Sequence, residues 1–251
     1  MGGRVGTRGL HDSECDFLLA PFDRLGSYEA VKTNPAGILR FGLLVLLALF
    51  SCGPVQAQQT FNFDDEQSSL SQFIFTLNGD GDTDNSVWKI EQVSDAPSPK
   101  QALAILKADA LESSFPMALL KGVKIQDFDA SVKFKIAGGT VGQSAGLVVR
   151  AVDADHCYVL KASVHDNSLT LLKVNKQTRT KLGSGRIGIH LNHWHTLRIT
   201  ARGTKFEAQF DGAKILTAGD STYLTGKVGL VSQGDSIVYF DDLMTGPAPE
   251  L

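Results

Sequence analysis

The 251-residue chain has few cysteines, no basic stretch and no run of residues with helical periodicity. Its three cysteines are Cys15, Cys52 and Cys157; the first two fall in or before a segment that we expect to be removed, so no internal disulfide is expected. Cys157 lies within a strand pattern, which favours a buried apolar residue over a nucleophile. The formal net charge of −3 without a basic stripe makes nucleic acid an unexpected partner.

Long hydrophobic runs are also missing, because the longest apolar stretch is only 41–50. A bilayer-spanning helix needs about 20 such residues. Arg40 precedes the stretch, and Val55-Gln56-Ala57 provides a small-x-small cleavage site. This arrangement predicts a signal peptide over 31–57, a secreted or periplasmic protein, and no transmembrane span in the mature chain. The alternative is a buried helix of the domain.

The leader before this segment, residues 1–30, is polar, mixed in charge and without any strand or helix pattern. We expect it to be disordered or an artefact of a start codon that lies near Val31. A peptide from residues 1–30 in mass spectrometry would contradict the second interpretation. The sequence Leu49-Phe50-Ser51-Cys52 is similar to a lipoprotein processing site, so Cys52 is a candidate lipid anchor, although Phe50 fits poorly and plain secretion is preferred.

Short alternating segments fill residues 58–244, and Gly or Asp-Gly closes most of them. Phe128–Ile136 shows the pattern best, with apolar residues at every second position. The pattern predicts one all-β domain of antiparallel strands, a sandwich or a barrel. Residues 64–85 are expected to be mostly loop, and 245–251 to be a flexible tail. The further predicted strands begin at Phe61 and cover 87–93, 102–108, 146–152, 157–164, 168–174, 194–202, 206–210, 226–230 and 238–243.

The order of these motifs resembles the concanavalin A-like lectin/glucanase superfamily, a jelly roll of two antiparallel sheets. More narrowly, it is similar to bacterial secreted domains described as family 16 glycoside hydrolase-like, laminin-G-like or 3-keto-disaccharide hydrolase-like. The resemblance spans nearly all of the mature chain and implies the fold, not catalysis. The matching segments are 98–100, 128–132, 145–150, 155–158, 194–197, 210–212, 226–230 and 240–242.

Catalytic residues of the family 16 type are not found in the sequence. Retaining glucanases of this fold carry Glu-x-Asp-x-x-Glu on one strand, which places two carboxylates about 5 Å apart. Glu207 and Asp211 form the one strand-borne carboxylate pair, and a solvated face with a turn aspartate is the preferred interpretation. No catalytic residue is therefore assigned.

A ligand-binding face is predicted from the hydrolase resemblance, in which Gly-x-x-x-Arg matches Gly146 to Arg150. If Leu147 and Val149 face the core, Gly146 and Arg150 share the other face, where Arg150 offers a planar set of donors. The alternative is a structural arginine paired with a carboxylate. The candidate residues for binding a glycan or oligosaccharide are Arg150, Lys161, His156, Tyr158, Lys133 and Lys135.

Calcium is the one cofactor that the sequence suggests. Asp80, Asp82 and Asp84 alternate in the segment 78–85, an arrangement similar to the opening of a calcium loop. A second candidate site joins Asp64 or Asp65 with Asp241 or Asp242. Ordinary solvated loops are the alternative for both.

Other metal and sugar signals are weaker. His190, His193 and His195 suggest zinc but lack a fourth ligand at a sensible spacing. Trp88 and Trp194 could stack on a sugar, but their strand patterns favour core packing.

Three functions follow from these observations. The first is non-catalytic carbohydrate binding by a secreted jelly-roll domain. The second is hydrolysis of a (3-keto-)disaccharide or polysaccharide, and the third is an envelope protein-interaction module.

Overall fold

Antiparallel strands build nearly all of the chain that the computed structural model describes, which is residues 58–80, 87–107 and 111–249. One short helix, α1 (Glu66–Ser71), and fifteen strands in two sheets lie in these ranges. The predicted two-sheet antiparallel sandwich is therefore confirmed. The predicted leader, signal peptide and Cys52 lie outside the described residues, as do Asp82 and Asp84.

The larger sheet has eight strands. Seven follow the order β13-β12-β11-β6-β15-β4-β3, and β1 pairs separately with β15. Its strands are β1 (Gln59–Phe61), β3 (Val87–Gln92), β4 (Gln101–Lys107), β6 (Phe128–Gly138), β11 (Trp194–Arg202), β12 (Lys205–Phe210), β13 (Ala213–Gly219) and β15 (Ile237–Pro247).

The smaller sheet has seven strands in the order β10-β9-β8-β7-β14-β5-β2. They are β2 (Phe73–Asn78), β5 (Phe115–Leu120), β7 (Ser144–Ala151), β8 (His156–Ser163), β9 (Ser168–Asn175), β10 (Thr178–Arg186) and β14 (Lys227–Ser232). Consecutive strands β7 to β10 form a meander, whereas β6 and β7 belong to different sheets.

The main core lies between the sheets. Every second residue of β6, from Phe128 to Ile136, is at most 1% exposed and belongs to it, as alternation predicts. Leu147 and Val149 of β7 face the same core. This burial is the main source of stability, because each buried large apolar side chain contributes about 1.5–3 kcal/mol.

A second apolar cluster occupies the opposite face of the seven-stranded sheet. Its members include Met117 of β5, Val148 of β7, Val159 of β8 and Val231 of β14, all at most 2% exposed. The centre of this face is therefore packed with aliphatic side chains rather than lined by polar ones.

The segment 64–85 differs from its predicted loop, because it contains α1 and β2. The strands β5, β10 and β13 also have no counterpart in the sequence prediction. The last strand continues past Met244, since Thr245 pairs with both Gln59 and Ala130. Among the described residues, no helix is long and apolar enough to cross a membrane.

Candidate functional site

The six predicted ligand-binding residues do not share one surface. Lys133 and Lys135 lie on β6 of the eight-stranded sheet, whereas the other four belong to β7 and β8 of the seven-stranded sheet. The chain crosses from one sheet to the other between β6 and β7. Neighbouring strands in the sequence therefore present their polar faces on opposite sides of the sandwich.

Arg150 lies inside the sandwich. The register between β7 and β14 places Val148 opposite Gly229 but Ala151 opposite Lys227, so β7 carries one extra residue. Arg150, with φ of 49°, occupies this bulge and turns into the core instead of sharing the face of Gly146. Gly146 also leaves no room for a ligand, because an added Cβ would meet the Leu160 carbonyl oxygen.

The guanidinium of Arg150 is fully buried and held by the protein itself. Its Nε and Nη2 donate to the Gln126 carbonyl at 3.0 and 2.8 Å, and Nη1 donates to the Tyr223 carbonyl at 3.3 Å. Its carbon centre lies 5.0 Å from the ring centroid of Phe206. Nη2 also lies 3.6 Å from an oxygen of Asp127. These contacts fit the structural role that the sequence analysis left open.

Tyr158 is also an interior residue. Its hydroxyl donates to Asp220 at 2.6 Å and accepts from the Tyr223 amide at 3.1 Å. Burial, together with the hydrogen bond to Asp220, raises the pKa of Tyr158 to about 12. The phenol is therefore a neutral donor that anchors the 220–223 loop.

Lys161 and His156 lie apart from each other. The Lys161 Nζ donates to the Gln233 side chain at 2.7 Å, and burial lowers the pKa of Lys161. His156 contacts Asp153, with 2.8 Å between Nδ1 and Oδ1, and lies beside an open depression of 820 Å³ near the β9–β10 turn. Lys161 does not line this depression.

The outer face of the eight-stranded sheet is different, because polar and aromatic side chains line it. We refer to the eight-stranded sheet as sheet A and to this surface as the outer A face. It is defined by the solvent-facing residues of β6, β11, β12 and β15. Its main members are Asp129, Lys133, Lys135, Trp194, Thr196, Arg198, Thr200, Glu207, Gln209 and Tyr239.

Two half-buried aromatic rings mark one end of the outer A face. Lys135 pairs in register with Trp194 on one side and Tyr239 on the other. Its Nζ lies 5.1 and 5.3 Å from the centroids of these rings and 2.6 Å from an oxygen of Asp95. The hydrogen bond from Lys135 lowers the pKa of Asp95. Stacking on a cation and an ion pair hold both rings in fixed positions.

An open groove of 970 Å³ forms the other end of the outer A face. Its polar lining includes Arg198, Thr200, Glu207 and Gln209. Arg198 donates to both oxygens of Asp129, at 2.7 and 2.8 Å, and this hydrogen bonding raises the pKa of Arg198. Among the described residues, its Nη1 has no hydrogen-bond partner and remains available to a ligand.

The carboxylates in and near the groove have hydrogen-bond partners within the protein. Glu207 lies 2.6 Å from Lys214, and this hydrogen bond and one from Gln209 lower the pKa of Glu207. Asp129 accepts a further hydrogen bond from Thr200 at 2.8 Å. Asp211 turns away from Glu207 and accepts from the Thr196 amide at 2.7 Å. Glu207 and Asp211 therefore have the predicted arrangement, in which Glu207 belongs to a solvated face and Asp211 to a turn.

Asp241 does not fit a cation site. Its side chain is fully buried and accepts from the Ser98 amide at 2.8 Å and the Ser98 hydroxyl at 2.7 Å. The Asp242 amide donates a third bond at 2.7 Å. Burial raises the pKa of Asp241, which opposes the ionised form that calcium needs. N–H and O–H donors therefore contact the Asp241 carboxyl oxygens that a metal ion would need.

Asp80 and His195, two further metal candidates within the described residues, also have protein partners. Asp80 is exposed and accepts from the Ser113 hydroxyl at 3.3 Å. Both ring nitrogens of His195 are used, by Asp211 at 2.8 Å and by the His190 amide at 3.2 Å. Within the described ranges, no three His, Cys, Asp or Glu side chains are placed to hold a metal ion.

Cys157 and Trp88 pack in the interior, as the sequence predicted, but Trp194 does not. Burial raises the pKa of the Cys157 thiol to about 12, which excludes a reactive thiolate. Trp88 packs against the main core and stacks on Phe240 with centroids 6.1 Å apart. Trp194 lies on the outer A face rather than in either apolar cluster, so its predicted core position is wrong.

Comparison with known proteins shows similarity at the level of structure. The carbohydrate-binding module CBM66 from Bacillus subtilis superposes with a TM-score of 0.55 and 18% identity, over 68% of this chain and 94% of that chain. The Ca²⁺-bound exoplasmic/lumenal domain of VIP36 has a TM-score of 0.51 and 12% identity, over 76% and 89%. The chain has the concanavalin A-like lectin/glucanase fold.

A similar fold also occurs as part of a larger chain. A mutant of the GH43 protein BlXynB from Bacillus licheniformis has a TM-score of 0.51 and 13% identity, over 75% of this chain but 39% of that chain. No family model matches the sequence, and no curated protein sequence is significantly similar to it. The identities are low, so these concanavalin A-like relatives establish the fold alone.

Arg198, Tyr239 and Gln209 were missed as site residues by the sequence analysis. Each occupies a polar position in an alternating strand, a signal that marks any solvated face. Their convergence depends on which strands are neighbours, and β6, β11 and β15 are far apart in the sequence. Only the strand order identifies them as one surface.

Proposed function

We propose that the protein binds carbohydrate on the outer A face without cleaving it. The observation that carries this proposal is the combination of a 970 Å³ groove, which has both apolar and polar side chains in its lining, with two aromatic rings on one sheet face. Trp194 and Arg198 lie on the same face of β11, about 13 Å apart at 3.3 Å per residue. This span suits several sugar units, with ring stacking at one end and hydroxyl recognition at the other.

The chemistry of the groove matches a neutral glycan. Arg198, Gln209, Thr200 and Glu207 provide both donors and acceptors, as sugar hydroxyls require. Half-exposed aromatic rings supply an apolar surface for the C–H faces of a pyranose. CBM66 is named as a carbohydrate-binding module and shares this fold, which supports the same class of ligand for this chain. We propose that the protein performs this binding as a secreted or periplasmic domain.

The carboxylates of the outer A face and its strands support binding without hydrolysis. Glycosidases need a general acid with a raised pKa beside a second carboxylate. The pKa of Glu207 is lowered instead, and both oxygens of Asp129 are bonded to Arg198. Asp241 has a raised pKa but is fully buried. The described carboxylates of this face therefore favour binding over hydrolysis.

A panel of soluble neutral polysaccharides tests the proposal by affinity gel electrophoresis. The wild-type protein should be retarded by at least one glycan. Trp194→Ala and Arg198→Ala should each weaken binding about five- to thirtyfold, since each removes about 1–2 kcal/mol of contact. Lys161→Ala is the matched control, because Lys161 lies on the other sheet.

Three results would contradict the proposal. They are loss of retardation in Lys161→Ala alone, unchanged retardation in both outer-face variants, and the appearance of shorter oligosaccharides in the mixture. The last would indicate a hydrolase. Mass spectrometry of the glycan after incubation detects that outcome.

A further inference from the structure

Strand β3 forms one edge of the eight-stranded sheet, and β4 is its only partner among the described strands. The Val93 amide donates to the Lys100 carbonyl at 2.9 Å, and the register is regular from Trp88 to Gln92. Because backbone groups alternate in direction, the N–H and C=O of Ile90 point away from β4, as do those of Trp88 and Gln92. No described strand accepts these outward groups.

The sequence of this edge has a two-fold charge pattern. Residues 87–93 read Val-Trp-Lys-Ile-Glu-Gln-Val, with Lys89 and Glu91 on either side of Ile90. If two copies of β3 pair antiparallel about Ile90, Lys89 of each copy faces Glu91 of the other. The two charges within one copy already attract each other as an ion pair on the same sheet face.

The hydrogen-bond geometry selects the same centre. The outward N–H and C=O of Ile90 make Ile90 opposite Ile90 a hydrogen-bonded pair. Lys89 opposite Glu91 is then a non-hydrogen-bonded pair, with Cα atoms about 4.5 Å apart and side chains in closer contact. A shift by one residue would place each side chain opposite a residue of the other face. A shift by two residues would place Lys89 opposite Lys89 or Glu91 opposite Glu91, so the charges favour the register centred on Ile90.

Apolar side chains at this edge are incompletely covered. Trp88 and Ile90 face the main core but are only partly buried. Phe75 of β2 is 39% exposed and stacks on Trp88, with ring centroids 5.8 Å apart. A neighbouring strand would cover the parts of these side chains that the edge leaves exposed.

We propose that the protein forms a two-fold symmetric dimer through antiparallel pairing of β3 with β3 of a second copy, centred on Ile90. The interface is isologous, so the same residues serve both copies. It joins two eight-stranded sheets into one continuous sheet. If the proposed function holds, the two outer A faces then lie on one side of the dimer and bind a polymeric glycan bivalently.

Charge-reversal variants of the full 251-residue chain test the dimer by sedimentation velocity over a wide concentration range. The wild-type protein should dimerise. Lys89→Glu and Glu91→Lys should each weaken dimerisation at least about tenfold, because like charges then face each other twice. An equimolar mixture of the two variants should recover the dimer, and so should the variant that carries both substitutions.

Unchanged far-ultraviolet circular dichroism in every variant shows that folding is intact, since Lys89 is exposed and Glu91 partly so. A monomeric wild-type protein would overturn the proposal. Single variants that dimerise like the wild type, or a mixture that fails to recover, would also overturn it. None of these readouts depends on glycan binding, so failure of the proposed function is distinguishable.

Discussion

At the residue scale, Arg150 shows how one backbone irregularity changes the role of a side chain. Simple alternation predicts that it shares a face with Gly146, and this prediction fails because a bulge adds one residue to β7. A left-handed φ at a non-glycine residue cannot be read from sequence, because nothing in the local composition of β7 requires it. The guanidinium consequently stabilises the interior instead of contacting a ligand.

Replacement of Arg150 by methionine should lower the free energy of unfolding by about 3 kcal/mol. The Gln126 and Tyr223 carbonyls would lose their donors in a buried environment, and the cation would no longer stack on Phe206. Urea denaturation measures this change. Lys161→Met serves as the control and should cost less than about 1 kcal/mol. Equal, small losses in both variants would contradict a structural role for Arg150.

Asp235 should make stability depend on acid pH. Burial alone would raise its pKa, but donors from Thr140, Val141 and Gly142 lower it to about 2. An unfolded aspartate has a pKa near 3.9. Since the folded pKa is depressed, the stabilisation is complete above about pH 4 and is lost as the pH falls through about 2.

The variant Asp235→Asn therefore should be less stable than the wild type at pH 7 by roughly 1–2 kcal/mol. The difference should shrink as the pH falls from 4 to 2. Chemical denaturation at several pH values measures it, with the exposed Glu112 replaced by glutamine as the control. A difference that stays constant down to pH 2 would show that the carboxylate charge is not responsible.

At the element scale, strands with one solvent-exposed face and one buried face could be predicted from the sequence. Strands without this difference between their faces could not. Strands β6 and β11 alternate clearly and are found at, or within two residues of, their predicted bounds. Strand β5 is buried on both faces and contains Pro116, so it shows no alternation. Strand β10 is an edge strand with little burial, and its polar composition is typical of a loop.

The final strand, β15, ends later than its amino-acid composition suggests. Gly246 and Pro247 suggest a loose tail, yet both pair with β6, and Thr245 is buried between β1 and β6. Proline is tolerated at such a strand end, where it has no ladder bond to donate. The domain thus includes residues beyond Met244.

Deletion of residues 245–251 should lower the Tm by about 5–10 °C. The lost backbone hydrogen bonds and burial amount to about 2–3 kcal/mol, and each kcal/mol shifts the Tm of a domain of this size by about 2–4 °C. Differential scanning fluorimetry measures the shift. Deletion of residues 250 and 251 alone is the control and should have no effect. Equal Tm values in both variants would contradict the strand pairing.

At the scale of the whole molecule, the two-sheet antiparallel class could be predicted from the sequence, but the proposed binding face could not. Lys133 and Lys135 were correctly placed on a polar face, but their partners Trp194, Tyr239 and Arg198 come from strands distant in sequence. The prediction combined neighbouring strands β6 to β8, which the fold distributes over both sheets. Strand order is a product of long-range packing, and local patterns do not encode it.

The outer sides of the two sheets differ in composition. The seven-stranded sheet carries an aliphatic cluster on its outer side, whereas the eight-stranded sheet carries charges and aromatic rings. Buried aliphatic side chains offer no hydrogen bonds to sugar hydroxyls. This difference is why we propose the outer A face, rather than the other sheet, as the glycan-binding surface.

The most direct test of that assignment uses Trp194 as a reporter. The protein has two tryptophans, so Trp88→Phe leaves Trp194 as the single source of indole fluorescence. Titration with the glycan identified by electrophoresis should change its emission saturably, with the same Kd as calorimetry, and Arg198→Ala should weaken both signals together. Calorimetric binding without any change in Trp194 emission would place the glycan elsewhere and contradict the account.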